Sequence, residues 1–176
     1  MAESEAQWFA MRATYGRNMM AQRQLESFGL ESFVPMRQCP TKRKGRVKID
    51  IVPIVRDLIF VHSTKEEVQE VKAKIDYLHY ITRPIEGRNT PIEVPSEQME
   101  QFMLFCACGG EVTEECEAID YRIGERVRVA QGALKGVEGY LVKIQGRRSR
   151  CFTVRIEGVC TAMLELKRED LEKVNN

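Results

Sequence analysis

The sequence predicts an α+β protein made of two unlike parts: an antiparallel two-layer α/β domain over residues 1–107 and a small all-β barrel over residues 121–176, joined by an acidic linker at 108–120. Three observations predict it. Strand-like and helix-like periodicities succeed each other up to Ala107; from Tyr121 apolar residues recur at every second position with glycines between the groups; and residues 108–120 hold five carboxylates and no cation. At 176 residues, with 43% hydrophobic and 30% charged side chains, the chain is long enough for two small cores and too apolar for a disordered tail. Apolar runs such as Leu58-Ile59-Phe60-Val61 are too short to span a bilayer, and no apolar stretch follows the acidic start Met1-Ala2-Glu3-Ser4-Glu5. The expectation is a monomeric cytoplasmic protein without a membrane partner, its six cysteines reduced.

In the first part, residues 8–13 alternate without Gly or Pro and end at Tyr15-Gly16, which reads as a strand. Asn18 then stands where a helix would be capped, and Met20, Ala21, Leu25 and Phe28 recur at helical spacing before the stop at Gly29. Residues 31–36 read as a second short strand. The run Lys42-Arg43-Lys44-Gly45-Arg46-Val47-Lys48 follows as a loop or hairpin tip, a candidate phosphate-binding feature or simply a solvated surface. Residues 58–62 are nearly all apolar, as in a central strand covered on both faces, with Leu58 and Phe60 on one face and Ile59 and Val61 on the other. Ser63 and Glu66 have capping-box spacing ahead of a helix carrying Val68, Val71 and Ile75. Residues 80–83 read as a strand ended by Pro84, and Pro95-Ser96 opens a third helix with Met99, Phe102, Met103 and Cys106 on one stripe. The predicted order is β-α-β-β-β-α-β-α, and apolar sheet surface that three short helices leave open would mark a partner site.

In the second part the apolar groups are Val127 and Val129; Tyr140, Val142 and Ile144; and Phe152, Val154 and Ile156. Gly132, Gly136 and Gly139 bracket a tight reversal that enters the next strand, and Arg168-Glu169-Asp170-Leu171 is placed to close the barrel with a short turn and strand. Arg147, Arg148 and Arg150 crowd one turn, suited to phosphate or to a partner's carboxylates.

A near-neutral total of 27 cations and 26 carboxylates conceals this arrangement. Residues 1–107 carry 15 basic and 14 acidic side chains, and residues 121–176 carry 12 and seven. Chemistry is sparsely signalled. His62 and His79 lack metal-ligand spacing, Cys106, Cys108 and Cys116 make an unconvincing zinc set, and no phosphate-binding, dinucleotide or nucleophile-elbow motif occurs, so neither an enzyme nor a bound cofactor is expected.

Four groups of residues together resemble the NusG family: Trp8-Phe9-Ala10-Met11-Arg12-Ala13 with Gly16; Leu58-Ile59-Phe60-Val61 after a basic loop; Glu93-Val94-Pro95-Ser96-Glu97-Gln98; and Gly124-Glu125-Arg126-Val127-Arg128-Val129 leading into Gly132, Gly136 and Gly139. The first three resemble the NusG amino-terminal domain, and the last resembles the KOW motif of its SH3-like barrel. The resemblance implies a transcription elongation factor that docks through a hydrophobic depression on the clamp helices of the RNA polymerase β′ subunit and raises processivity. It implies Trp8, Leu58 and Phe60 as docking residues: the family reads Pro-Gly-Tyr or Pro-Asn-Tyr where this chain has Arg56-Asp57-Leu58. Arg56-Asp57 is expected to remove the tight turn there. That departure, the linker, the basic hairpin and Val94-Pro95-Ser96 look more like the RfaH and UpxY paralogues, which antiterminate long polysaccharide-type operons. In such paralogues basic residues contact the non-template DNA strand, for which Lys42, Arg43, Lys44, Arg46 and Lys48 are the candidates by charge. For the KOW domain the resemblance leaves three options open: Rho, a ribosomal protein, or neither. One paralogue branch refolds that domain between a helical hairpin and a barrel; the six glycines among residues 121–158 argue against such a switch here. Two alternatives stay open, a housekeeping NusG-type factor and a ribosome- or RNA-associated KOW protein.

Overall fold

A computed structural model of the chain describes residues 5–114, 124–144 and 148–174. At the centre of the first part, β1 (Gln7–Ala13) runs antiparallel to β5 (Leu58–Ser63). β2 (Glu31–Phe33) pairs with the far side of β5, and β6 (Leu78–Tyr80) and β9 (Glu93–Val94) both pair with β1. The near-continuous apolar run of β5 follows from this position: Leu58, Ile59, Phe60 and Val61 are all at most 3% exposed, so both faces of the strand are covered.

One face is covered by two helices, α1 (Asn18–Ser27) and α2 (Lys65–Lys74). Phe9, Met11, Ile59 and Val61 meet Ala21 and Leu25 of α1 and Val68 and Val71 of α2, with Ile75 closing the cluster. The starts of the two helices differ from the sequence expectation. Asn18 is not the cap of α1 but its first residue, 2% exposed, and its side-chain amide donates to the Leu58 carbonyl at 3.5 Å. The capping frame of α2 lies one residue later than predicted. Thr64 is the cap and accepts from the Glu67 amide at 3.3 Å, while Ser63 donates its hydroxyl to the Glu67 carboxylate. The Ser63 hydrogen bond, then that of the Thr64 amide, hold the Glu67 carboxyl below its ordinary value of 4.5. Its contribution to α2 is therefore complete at neutral pH and fades as pH falls below 4.5 through the lower folded-state value. Glu67→Gln is expected to flatten the acid limb of the stability profile in that window, as read by denaturant midpoints across pH.

Between β2 and β5 the chain leaves the sheet as a separate two-stranded ribbon, β3 (Met36–Arg43) and β4 (Arg46–Pro53). A second ribbon, β7 (Thr82–Ile85) and β8 (Arg88–Pro91), follows β6. The strand expected at 80–83 is thus two short strands parted at Ile81, and Pro84 sits inside β7, where an exposed ribbon tolerates a missing amide. α3 (Ser96–Ala107) comes next, with Met99, Phe102 and Phe105 buried along one stripe.

The chain divides into two compact units between Met99 and Glu100, inside α3, earlier than the boundary expected at 107. The reason is visible at Phe105, whose ring lies 5.8 Å from that of Phe152 in the second unit. That unit is a six-stranded antiparallel sheet made of β10 (Glu111–Glu114), β11 (Glu125–Val129), β12 (Glu138–Lys143), β13 (Arg150–Ile156), β14 (Cys160–Leu164) and β15 (Leu171–Lys173), in the order β10-β14-β13-β12-β11-β15. The all-β expectation for this part matches the sheet. Residues 111–114, expected within the linker, instead form its edge: Val112 is 4% exposed and pairs with Ala162. The rest of the expected linker from 115 onward, with Cys116, lies outside the described residues. Arg168–Asp170 forms the predicted short turn before β15.

Candidate binding surfaces

The register of β1 against β5 pairs Trp8 with His62, Ala10 with Phe60 and Arg12 with Leu58. Paired residues share a face, so Trp8, Leu58 and Phe60 all lie on the side of the sheet away from α1 and α2, with Phe33 beside Phe60 and Val94 beside Trp8. The Trp8 and His62 rings stack at 4.9 Å, and His62 Nδ1 lies 3.2 Å from a Glu31 carboxylate oxygen. This face is not an open depression. Trp8 is 4% exposed, Leu58 3% and Phe60 0%, so contact through them requires the protein's own packing over the face to give way.

The turn leading into β5 overturns one expectation. Arg56-Asp57 does make a tight turn: Asp57 adopts φ 68°, the left-handed region that a glycine or asparagine would fill easily. Its carbonyl accepts from the Ala13 amide at 2.7 Å, and its carboxylate accepts from the Gly16 amide, fixing the start of β5 against the end of β1. Asp57→Asn is expected to be nearly neutral, whereas Asp57→Val, β-branched at positive φ and unable to accept from Gly16, should cost about 2–3 kcal/mol in chemical denaturation.

The basic run forms the end of the β3–β4 ribbon. Lys44 and Gly45 both have positive φ, 49° and 75°, as a two-residue type I′ turn requires. Cross-strand pairing sorts the side chains onto two faces. Arg43 and Arg46 pair, as do Thr41 and Lys48, and Cys39 and Asp50, giving a polar, cationic face; Lys42 pairs with Val47, Pro40 with Ile49 and Gln38 with Ile51, giving an apolar one. Of the five candidate cations, Arg43, Arg46 and Lys48 therefore lie together, Lys44 is in the turn, and Lys42 is on the other side. Asp50 is the ribbon's one carboxylate against six cations. The Thr41 hydroxyl at 2.6 Å, then Lys48 and Arg43, hold its carboxyl below the ordinary value. Val47, Ile49 and Ile51 are exposed by 65%, 62% and 66%, an apolar row that the sequence reading missed although their period of two was there to see.

Another missed feature is Tyr15, 78% exposed at φ 63°, with the Arg17 guanidinium 5.4 Å from its ring and 5.0 Å from that of Tyr77. Of the three turn glycines in the second unit, Gly132 and Gly136 have φ of 85° and 89° and join β11 to β12. The Gly136 amide donates to the Val129 carbonyl at 2.8 Å. Gly139 serves otherwise: it lies within β12, where an added Cβ would come within 2.3 Å of the Thr153 carbonyl oxygen. Arg150 opens β13, Arg148 is exposed just before it, and Arg147 lies outside the described residues. Among the described residues no three His, Cys, Asp or Glu side chains converge on a metal-sized site. Burial pushes the Cys106 thiol up to about 12, far from the thiolate a metal needs. No helix among the described residues is long and apolar enough to cross a membrane.

The chain thus combines an antiparallel sheet backed by two helices, from which a cationic ribbon departs, with a separate all-β unit. The family described as "Transcription termination factor nusG" matches residues 6–103, more than half of the chain, and the protein belongs to the NusG family. A solved structure of Thermotoga maritima NusG, titled for its domain interaction, is similar over 97% of this chain and 98% of its own length, at 16% identity and a TM-score of 0.50, a likeness of fold. No curated protein matches the chain.

Proposed function

We propose that this NusG-family protein is a specialised elongation and antitermination factor of the RfaH and UpxY kind, acting in the cytoplasm. It binds the β′ clamp helices of RNA polymerase through the face bearing Trp8, Leu58 and Phe60 once the packing over that face has given way, and it raises processivity on a restricted set of operons of the polysaccharide type. The observation that carries the reading is the β3–β4 ribbon: six cations and one carboxylate on a separate, largely exposed two-stranded element, attached to a family domain whose sheet face is rich in large apolar side chains. A factor of this kind works without chemistry of its own, by binding one state of the polymerase more tightly than another.

The ribbon cations hold the exposed non-template strand by its phosphates. Each cation lost from a single-strand contact should lower the slope of log affinity against log salt by about 0.7. Lys44→Glu with Arg46→Glu, both at the exposed end of the ribbon, is expected to weaken binding of a single-stranded DNA oligonucleotide by roughly tenfold or more at low salt while leaving the unfolding transition in place. The proposal as a whole is tested by co-purification with RNA polymerase, followed by mapping the protein's occupancy along the genome. Enrichment on one or a few operons is expected. Uniform occupancy would assign the housekeeping role, and absence of polymerase capture would overturn the reading. An RNA-binding barrel is less well supported, because Arg126 and Arg128 of β11 are both engaged by Glu138, Arg126 at 2.8 Å and Arg128 Nε at 3.0 Å.

A further inference from the structure

We propose that the C-terminal unit carries a pocket for an acidic peptide segment that presents an aliphatic side chain. A cavity of about 250 Å³ is lined by Leu141, Ser149, Arg150, Leu166, Arg168 and Leu171. It lies below the roughly 300 Å³ at which small-molecule sites usually begin, and it suits one or two side chains of a larger partner. Its apolar surface comes from three leucines. Leu141 is 8% exposed, and Leu166 and Leu171 are half-buried, so they offer aliphatic surface to an entering group.

The polar lining is cationic. Arg150 and Arg168 contribute two guanidinium groups, and no carboxylate lines the cavity. Lys173 stands close by, its Nζ 2.7 Å from a Glu125 oxygen, and Arg150 Nη1 is 3.7 Å from the other Glu125 oxygen. The Ser149 hydroxyl donates to Glu165 at 2.9 Å. Carboxylates such as Glu125 and Glu165 stand around the cavity but not in its lining, and a guanidinium fork there matches a partner's carboxylate in geometry as well as charge. Leu171 also begins β15, one of the two edge strands of the sheet, where an extended segment can find backbone partners while its side chain enters the pocket. A nucleic acid would satisfy the arginines but not the floor, since bases stack on aromatic or planar groups and the floor is made of leucines.

The test uses the full-length protein and needs no polymerase, so its outcome is separate from that of the docking proposal. The probe is a fluorescein-labelled hexapeptide, Asp-Asp-Leu-Leu-Glu-Glu, followed by anisotropy, with backbone amide shifts locating it. Saturable binding is expected, with shifts at Ser149, Arg150 and Leu166 to Leu171. Arg168→Glu, at an exposed position, should weaken it about tenfold with an unchanged melting curve, the loss expected for one charge-assisted contact. Replacing the two probe leucines by serine should weaken it comparably. The proposal is overturned if the hexapeptide does not bind, if Arg168→Glu binds it equally well, if the serine probe binds as tightly, or if a single-stranded RNA occupies the same residues in preference to it.

Discussion

Phe60→Asp is expected to unfold the N-terminal unit outright. Phe60 is 0% exposed in the central strand, paired with Ala10 on one side and Phe33 on the other. Truncating a buried phenylalanine costs about 3–5 kcal/mol, and a carboxylate left there without a partner adds a further penalty. Together these consume most of the 5–15 kcal/mol, or about that, by which domains are stable. Far-UV circular dichroism and a thermal scan would register the loss, and a folded Asp variant with an undisturbed transition would refute the packing described for β5. A docking role for Phe60 is therefore better read from Phe60→Leu, which keeps an apolar side chain in place at a modest cost. Weakened polymerase capture by a folded Leu variant would assign the ring to the interface; unchanged capture would leave it to the core alone.

Gly139→Ala is expected to abolish the fold of the C-terminal unit, while Gly132→Ala and Gly136→Ala only weaken it. At Gly139 a methyl group would meet the Thr153 carbonyl oxygen at 2.3 Å and the Phe152 ring at 2.8 and 2.9 Å. The obstacle is the backbone of the neighbouring strand, which cannot move without breaking the β12–β13 ladder, where Tyr140 pairs with Thr153 and Leu141 with Phe152. Overpacking of this kind costs about 1–3 kcal/mol where side chains can yield, and more where backbone must. At Gly132 and Gly136 nothing stands within 4 Å of the added carbon, so only the positive φ is penalised, at about 1 kcal/mol each. Amide spectra of the three variants would separate the cases; equal stability for all three would show that the close approach at Gly139 does not exist.

The large apolar signals in the sequence translated well into structure. The central position of residues 58–62, the helical stripes of Val68, Val71 and Ile75, and the two-sidedness of Leu58 and Phe60 against Ile59 and Val61 all follow from burial and period. The misreadings have local causes. Asp57 lacks the conformational freedom of glycine, yet a short side chain that accepts from the Gly16 amide holds positive φ well enough to make the turn. Ser63, Thr64, Glu66 and Glu67 offer two overlapping capping frames, and only the tertiary position of β5, which extends through Ser63, selects the later one. β14 was missed because it is buried on both faces, which erases alternation, and β10 because one valine among acidic residues carries no period. Burial of the Trp8 face was not legible at all: the sequence shows that those side chains are large and apolar but not how fully they are covered.

The sorting of the β3–β4 ribbon has a bearing on handling as well as on binding. Val47, Ile49 and Ile51 in an exposed ribbon make a short window of high β-propensity, the kind that pairs with other chains, and Arg46, Lys48 and Asp50 interrupt it at every second residue. The cations that would grip phosphate thus also act as gatekeepers against edge-to-edge aggregation. Neutral substitutions at Arg46 and Lys48 would strip that protection and present as poor solubility, whereas reversal to glutamate keeps the interruptions charged. Any loss of DNA binding seen in a neutralised ribbon would therefore have to be separated from loss of monomeric protein.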